Sequence, residues 1–274
     1  MTHPIPVPPM PRAETFKKIA FLAPRPGMDQ RAFTAYWRGT HGPTVAHAPN
    51  YAAYRRRYAQ NHRIGDGPVG GPFPHPGIAI FHLPGDGNNE AAFSRSATYR
   101  DCIRIDELNF IDMDRTLSMT AREDVIRPGA GPVKAIILAR RCDGMDRADF
   151  DSCLHDISSD ALINARGFTD HLAGWTLNRI VEGSFQLPGA RPAAATIDAI
   201  QELWFSSEQD LQQAFAAPAY RDRIAPALDA LFAPDRLSSF RAEEIVFFDA
   251  GRPTPQAGPA PPIPPPARMA QNRT

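Results

Sequence analysis

The chain is poor in several features, and each scarcity excludes a class of function. No apolar run approaches the length that spans a bilayer, so a membrane is not an expected partner. Neither sign of charge dominates: 30 Lys plus Arg balance 30 Asp plus Glu over 274 residues. A general polyanion binder needs a basic excess, so nucleic acid is not an expected partner either. The start of the chain, MTHPIPVPPMPRAETF, lacks the basic region followed by an apolar core that marks a secretory leader. Three cysteines, Cys102, Cys142 and Cys153, cannot all pair and form no CxxC, which reads as reduced thiols in a cytoplasmic protein. A Gly-rich phosphate loop, a dinucleotide fingerprint and a GxSxG elbow are missing, so no nucleotide site is expected. The scattered cysteines give no metal set, and neither do His41 and His47, which Gly42-Pro43 separates.

Proline is plentiful but uneven. Thirteen of the 29 lie in residues 1–12 and 251–274. Proline removes backbone donors and favours extended conformations, so these ends read as an arm and a tail outside the core.

Between them the sequence repeats itself. FKKIAFLAPRPGMDQRAF aligns with VKAIILARRCDGMDRADF at an offset of 117, placing Lys17 on Lys134 and Gly27-Met28-Asp29 on Gly144-Met145-Asp146. At an offset of 121, TYRDCIRIDELNFIDMDR aligns with AYRDRIAPALDALFAPDR. Two long ungapped registers in the same order indicate a tandem duplication. The expected organisation is an arm over 1–15, repeats over 16–126 and 133–250 with a linker over 127–132, and a tail over 251–274.

Each repeat reads as strand, helix, strand, strand, helix, strand. Asp29 and Asp146 stand where a helix N-cap belongs. Phe33, Tyr36, Trp37, Thr40 and His41 follow at helical spacing on one face, and Gly42-Pro43 is expected to stop that helix. Such a βαββαβ unit makes a four-stranded antiparallel sheet with helices on one face and an apolar face to be covered. The predicted fold class is α+β, two ferredoxin-like units packed sheet to sheet as a pseudo-dimeric α+β barrel.

The strand, GMDQRAFTAYWRGTHGP, Tyr54, GIAIFHL and the terminal DR…S…RED together resemble the EthD branch of the dimeric α+β barrel superfamily. The first repeat matches through Phe33, Tyr36-Trp37, His41 and Pro49. The second keeps the scaffold but has Leu154 and Ser158 in place of Trp37 and His41. The resemblance implies a barrel fold and a small-molecule site. Its activity range is wide: isomerases, cyclases, dehydratases, lyases, cofactor-free monooxygenases and haem enzymes.

Strand alternation sorts the faces. Ala79, Phe81 and Leu83, with Gln201, Leu203 and Phe205, are expected against the helices. Ile78, Ile80 and His82, with Ile200, Glu202 and Trp204, are expected to look between the sheets. Tyr54, Arg56 and Tyr58 share one face of the second strand, matched by His171, Ala173 and Trp175. If that face is the inner one, the cavity collects His82, His171, Tyr54, Arg56 and Glu202 among Tyr58, Trp175 and Trp204. His41, on the helix at the position the resemblance marks, is the preferred acid or base, with Tyr54, His82, His171 and Glu202 as partners and Trp37 as a further substrate contact. Imidazole exchanges protons near neutrality. A carboxylate walled by Trp and Ile is expected to be pushed upward. His47, His62 and His75 are expected in solvent. These residue types suit cofactor-independent acid/base chemistry, as a lyase, isomerase or cyclase, on an aromatic or polyketide-like molecule in aromatic catabolism. No cofactor or metal is expected, and a homodimer is compatible. The two rival readings are a haem enzyme of the same superfamily and a non-enzymatic binding or scaffold protein.

Overall fold

The computed structural model describes residues 15–85, 89–181 and 197–251. The proline-rich arm and all but the first residue of the tail lie outside the described residues. Among those described, no helix is long and apolar enough to cross a membrane.

The first half runs β1 (Thr15–Phe21), α1 (Gln30–Tyr36), a π-helical turn (Trp37–His41), α2 (Gly42–Ala46), β2 (Arg57–Asp66), the short β3 (Gly71–Pro72), β4 (Gly77–His82), α3 (Glu90–Arg95), a second π turn (Thr98–Ile103), α4 (Arg104–Phe110) and β5 (Leu117–Arg127). The second half runs β6 (Val133–Ala139), α5 (Arg147–Asn164), α6 (Arg166–Thr169), β7 (Leu172–Ile180), β8 (Ala199–Phe205), α7 (Glu208–Ala216), a third π turn (Tyr220–Ile224), α8 (Ala225–Asp229) and β9 (Ser238–Asp249). Asp29 and Asp146 cap as expected, their Oδ1 atoms accepting from Ala32 N–H and Ala148 N–H at 2.7 Å each.

Gly42-Pro43 does not stop the first helix. The helical path continues through the π turn into α2, where Pro43 falls in the first turn. A proline there loses no bond that the helix needs. Gly42 itself lies under Phe247 of β9, where an added Cβ would meet the ring at 2.4 Å.

The eight long strands follow the order β2-β4-β1-β5-β7-β8-β6-β9, all antiparallel, and β9 pairs back onto β2. The result is a closed eight-stranded barrel. The halves therefore meet through their edges as well as their faces, β5 bonding β7 and β2 bonding β9. Closure removes the unpaired edges that two separate sheets would leave.

One face of the strands fills the barrel with Ile19, Phe21, Ile78, Ile80, Met119, Ile136, Leu138, Ile200 and Phe240. The other packs on helices: Ala20, Tyr58 and Ala79 against Phe33 and Trp37 in the first half, Ala135, Leu203 and Phe205 against Phe168 in the second. Alternation thus reads correctly in β4 and β8.

Part of the barrel interior is ionic rather than apolar. Glu202 Oε1 accepts from Lys17 Nζ and Oε2 from Lys134 Nζ, both at 2.7 Å. Lys17 also pairs with Glu123 at 2.7 Å, and Lys134 with Glu244. Asn61 Oδ1 accepts from Lys134 Nζ at 2.7 Å, and Asn178 Nδ2 donates to Glu202 at 3.0 Å. Arg57 closes the set on Glu244, so three cations face three carboxylates. Burial alone would push Glu202 up, but Lys134 and Lys17 outweigh it and hold the carboxylate well below the usual range. The expectation that apolar walls raise Glu202 is therefore corrected.

Removing that charge leaves the three cations facing two carboxylates. Glu202→Gln should cost about 3–5 kcal/mol in chemical denaturation at pH 7, the penalty of breaking a buried pair. Because the folded pKa is depressed, Glu202 stabilises fully above its unfolded pKa of about 4.5 and loses that contribution as pH falls further. The gap between wild type and variant should shrink below that pH.

Candidate active site

The structure distributes the expected cavity over three places. His82 and Trp204 lie with the ionic cluster inside the barrel, His82 Nδ1 being 4.0 Å from Glu123 and Lys134 Nζ 4.5 Å over the Trp204 ring. Burial, then Lys17 and Arg57, lower the His82 pKa to about 3, so this imidazole is neutral at pH 7. His171 lies outside the barrel beside α7, with Nδ1 3.2 Å from Asp210. Trp175 faces the helices and donates to Gln201 Oε1 at 3.1 Å. Tyr58 also faces the helices, stacked on Phe81 at 4.7 Å. Tyr54 and Arg56 precede β2, which begins only at Arg57, so strand alternation does not reach them. Tyr54 is half-buried against Phe93, and Arg56 is exposed.

The third place is the helix layer of the first half, where His41 sits. The π turn over Trp37–His41 directs the imidazole onto α4. Its ring packs on Phe110, with centroids 4.8 Å apart, and Nδ1 lies 2.6 Å from Asp106 Oδ2. The other Asp106 oxygen accepts from the Tyr36 hydroxyl at 2.7 Å, and Asn109 Nδ2 donates to that hydroxyl at 3.3 Å. A carboxylate accepts at Nδ1, so the bonded tautomer carries its proton there and Nε2 holds the lone pair. Beside Asp106, Glu107 Oε2 accepts from the Tyr99 hydroxyl at 2.8 Å and lies 3.5 Å from Arg104. Burial pushes the Glu107 carboxyl up, with His41 the leading opposing influence. The two adjacent carboxylates thus have different surroundings, Asp106 meeting His41 and Tyr36 while Glu107 meets Tyr99 and Arg104.

Residues 25–114 match the model of the EthD domain. This part of the chain is similar to the EthD domain. No curated protein matches the sequence. Among solved structures, a putative monooxygenase from Fusobacterium nucleatum superposes with a TM-score of 0.50 at 10% identity, over 86% of this chain and 94% of that one. A putative monooxygenase from Lactobacillus acidophilus gives 0.48 at 11% identity over 86% and 95% of the two chains. An anthrone oxidase-like protein gives 0.47 at 10% over 87% and 95%. Identities this low speak to the fold.

The matched stretch ends just after the α4 carboxylates, so it contains His41, Asp106 and Glu107 together. At the offsets of 117 and 121 the second half has Ser158, Ala227 and Leu228 at these positions. Ser158 merely returns its hydroxyl to Leu154 O at 2.8 Å. The sequence singles out His41 but not its partners Asp106 and Glu107, because Asp106 lies 65 residues further on. Their joint replacement between the halves was the available signal.

His62 was expected in solvent and is instead 3% exposed on β2, under Trp37 at a ring distance of 4.4 Å. Its Nε2 donates to Gln60 Oε1 at 2.8 Å, and Gln60 Nε2 donates to the Tyr58 hydroxyl at 2.8 Å. His75 is half-buried and only His47 of the three is exposed. Among the described residues no group of three or more His, Cys, Asp or Glu is disposed to hold a metal ion.

Burial, followed by Arg38, lowers the His62 pKa to about 4 from 6.5. Between those values the unfolded chain takes a proton that the folded one refuses. Stability should therefore fall with pH by about 1.4 kcal/mol per unit for this residue. His62→Gln should flatten the slope between pH 6 and 4.5 by that amount, read from urea denaturation at several pH values.

Proposed function

We propose that the chain is a cofactor-independent acid/base enzyme acting on an aromatic or polyketide-like small molecule, as a lyase, isomerase or cyclase. We also propose that its halves are ferredoxin-like repeats from a duplication, the second having lost the chemistry. The observation that carries the proposal is the His41–Asp106 pair with Glu107 beside it, present in the first half and replaced together in the second.

In this reading Asp106 fixes the ring and stabilises the imidazolium that forms, Nε2 of His41 takes the substrate proton, and Glu107 returns one. Tyr36 and Asn109 keep Asp106 in place. Tyr54 and Trp37 line the helix–sheet interface as substrate contacts. His82, His171 and Glu202 leave the catalytic set, since their positions and partners are structural. A specific feature supports one other reading. A histidine with Nδ1 held by a carboxylate is also oriented to ligate a metal through its other nitrogen. The purified protein's absorbance spectrum addresses haem directly, a Soret band being the sign of it.

The test of the main reading is solvent-deuterium wash-in across a panel of enolisable aromatic ketones and lactones. For a compound that exchanges, His41→Gln should lower the rate by roughly a hundredfold or more, the usual worth of a general base. Ser158→Ala should leave it unchanged. Full exchange in His41→Gln would reduce that residue to a helix contact.

A further inference from the structure

The same interface holds a second polar cluster, which proton transfer leaves unused. Lys18 of β1 is the register partner of Phe81 on β4, on the helix-facing side. Arg55 is 3% exposed, with its guanidinium carbon 4.0 Å over the Phe93 ring and 5.5 Å over Phe81. Its Nη1 donates to Tyr54 O and lies close to Glu90 Oε1, both at 2.8 Å. Its Nε is buried without a hydrogen-bond partner among the described residues. The Tyr51 hydroxyl is buried and without a partner among the described residues in the same way. The Tyr51 ring meets Phe93 and Phe248 edge-on at 6.3 and 5.2 Å.

Glu90 is shared between Arg55 and Lys18, 4.0 Å from the latter. Burial lowers the Lys18 pKa, Glu90 opposing and Arg55 adding to the effect. Burial likewise raises the Tyr51 pKa, so the hydroxyl remains a donor. Glu107 also acts on Tyr51, but Tyr99 and Arg104 already engage that carboxyl.

The second half supplies the control. The offset of 117 carries Lys18, Tyr51 and Arg55 onto Ala135, Phe168 and Leu172, all buried in an apolar core. The scaffold closes there without charge. A guanidinium N–H and a phenol O–H buried without acceptors cost stability that this simpler packing avoids. Glu90 meets Arg55 at Nη1 and leaves Nε and the Tyr51 hydroxyl unmet, a gap that a second oxyanion would fill, and the rings beside them select an aromatic one.

We infer that Arg55 and Tyr51 form a recognition site for the carboxylate of an aromatic acid, whose ring lies against Phe93 and Phe81. This names the substrate class for the interface and rests on the proposed reaction only for the chemical step after binding.

Calorimetric titration of the full chain with 1-naphthoate, its neutral isostere 1-naphthamide and inorganic phosphate tests the site. Naphthoate should bind one to one, with naphthamide and phosphate at least tenfold weaker. Tyr51→Phe should weaken naphthoate at least tenfold while keeping or raising Tm, since it removes an unpartnered buried hydroxyl. Arg55→Met should weaken naphthoate too, but it also disturbs packing on Phe93, so Tyr51→Phe decides. Equal affinity for acid and amide, tighter binding of phosphate, no binding of naphthoate, or wild-type affinity in Tyr51→Phe would overturn the inference. His41→Gln should bind naphthoate normally. That result together with unchanged deuterium exchange would end the proton-transfer reading and leave this site standing.

Discussion

A carboxylate inside a closed barrel persists as an anion only where cations meet it, and Glu202 is met by two. Lys17 comes from the first half and Lys134 from the second, both at 2.7 Å. The two lysines occupy equivalent places, yet Glu202 has Ile80 as its counterpart at the third strand. One half thus lends a charge that both halves need. Buried pairs of this kind are seldom the cheapest way to stability, but they penalise any register that leaves a member alone. Backbone pairing of β5 with β7 and β2 with β9 then completes a barrel whose interior is committed to packing and ion pairs. The proposed chemistry lies on the outer face of the strands, beneath the helices.

That outer face differs sharply between the halves. In the second, Ala135, Phe168, Leu172 and Leu203 make a continuous apolar core. In the first, the corresponding layer admits His41, Asp106 and Glu107 at its helical side and Lys18, Tyr51 and Arg55 near the sheet. Buried polar groups are expensive unless each is paired or serves a ligand. The second half folds without such groups at the corresponding positions, so the proposed reading gives them a role in the first other than folding.

The sequence made the strand faces of β4 and β8 legible, because each strand has a barrel side and a helix side and alternation distinguishes them. It failed at residues 54–56 for a local reason. A short turn over Tyr51–Ala53 precedes β2, so the chain enters the strand at Arg57 and it is Arg55, not Arg56, that turns inward. The pKa direction of Glu202 was misread because its partners lie on another strand, although a lysine in the middle of each first strand already signalled buried counter-ions. Asp106 and Glu107 were overlooked because hydrophobic spacing on α4 says nothing of a contact with a distant helix. Comparing the halves position by position recovers them.

The central claim is that function resides in the first half, between helices and sheet. The most direct measurement is a crystal structure of the chain with bound 1-naphthoate. The account predicts ligand density beside Arg55 and Tyr51, within the first half, with the second half unoccupied. Density inside the barrel next to Glu202, or in the Phe168–Leu172 region of the second half, would contradict it.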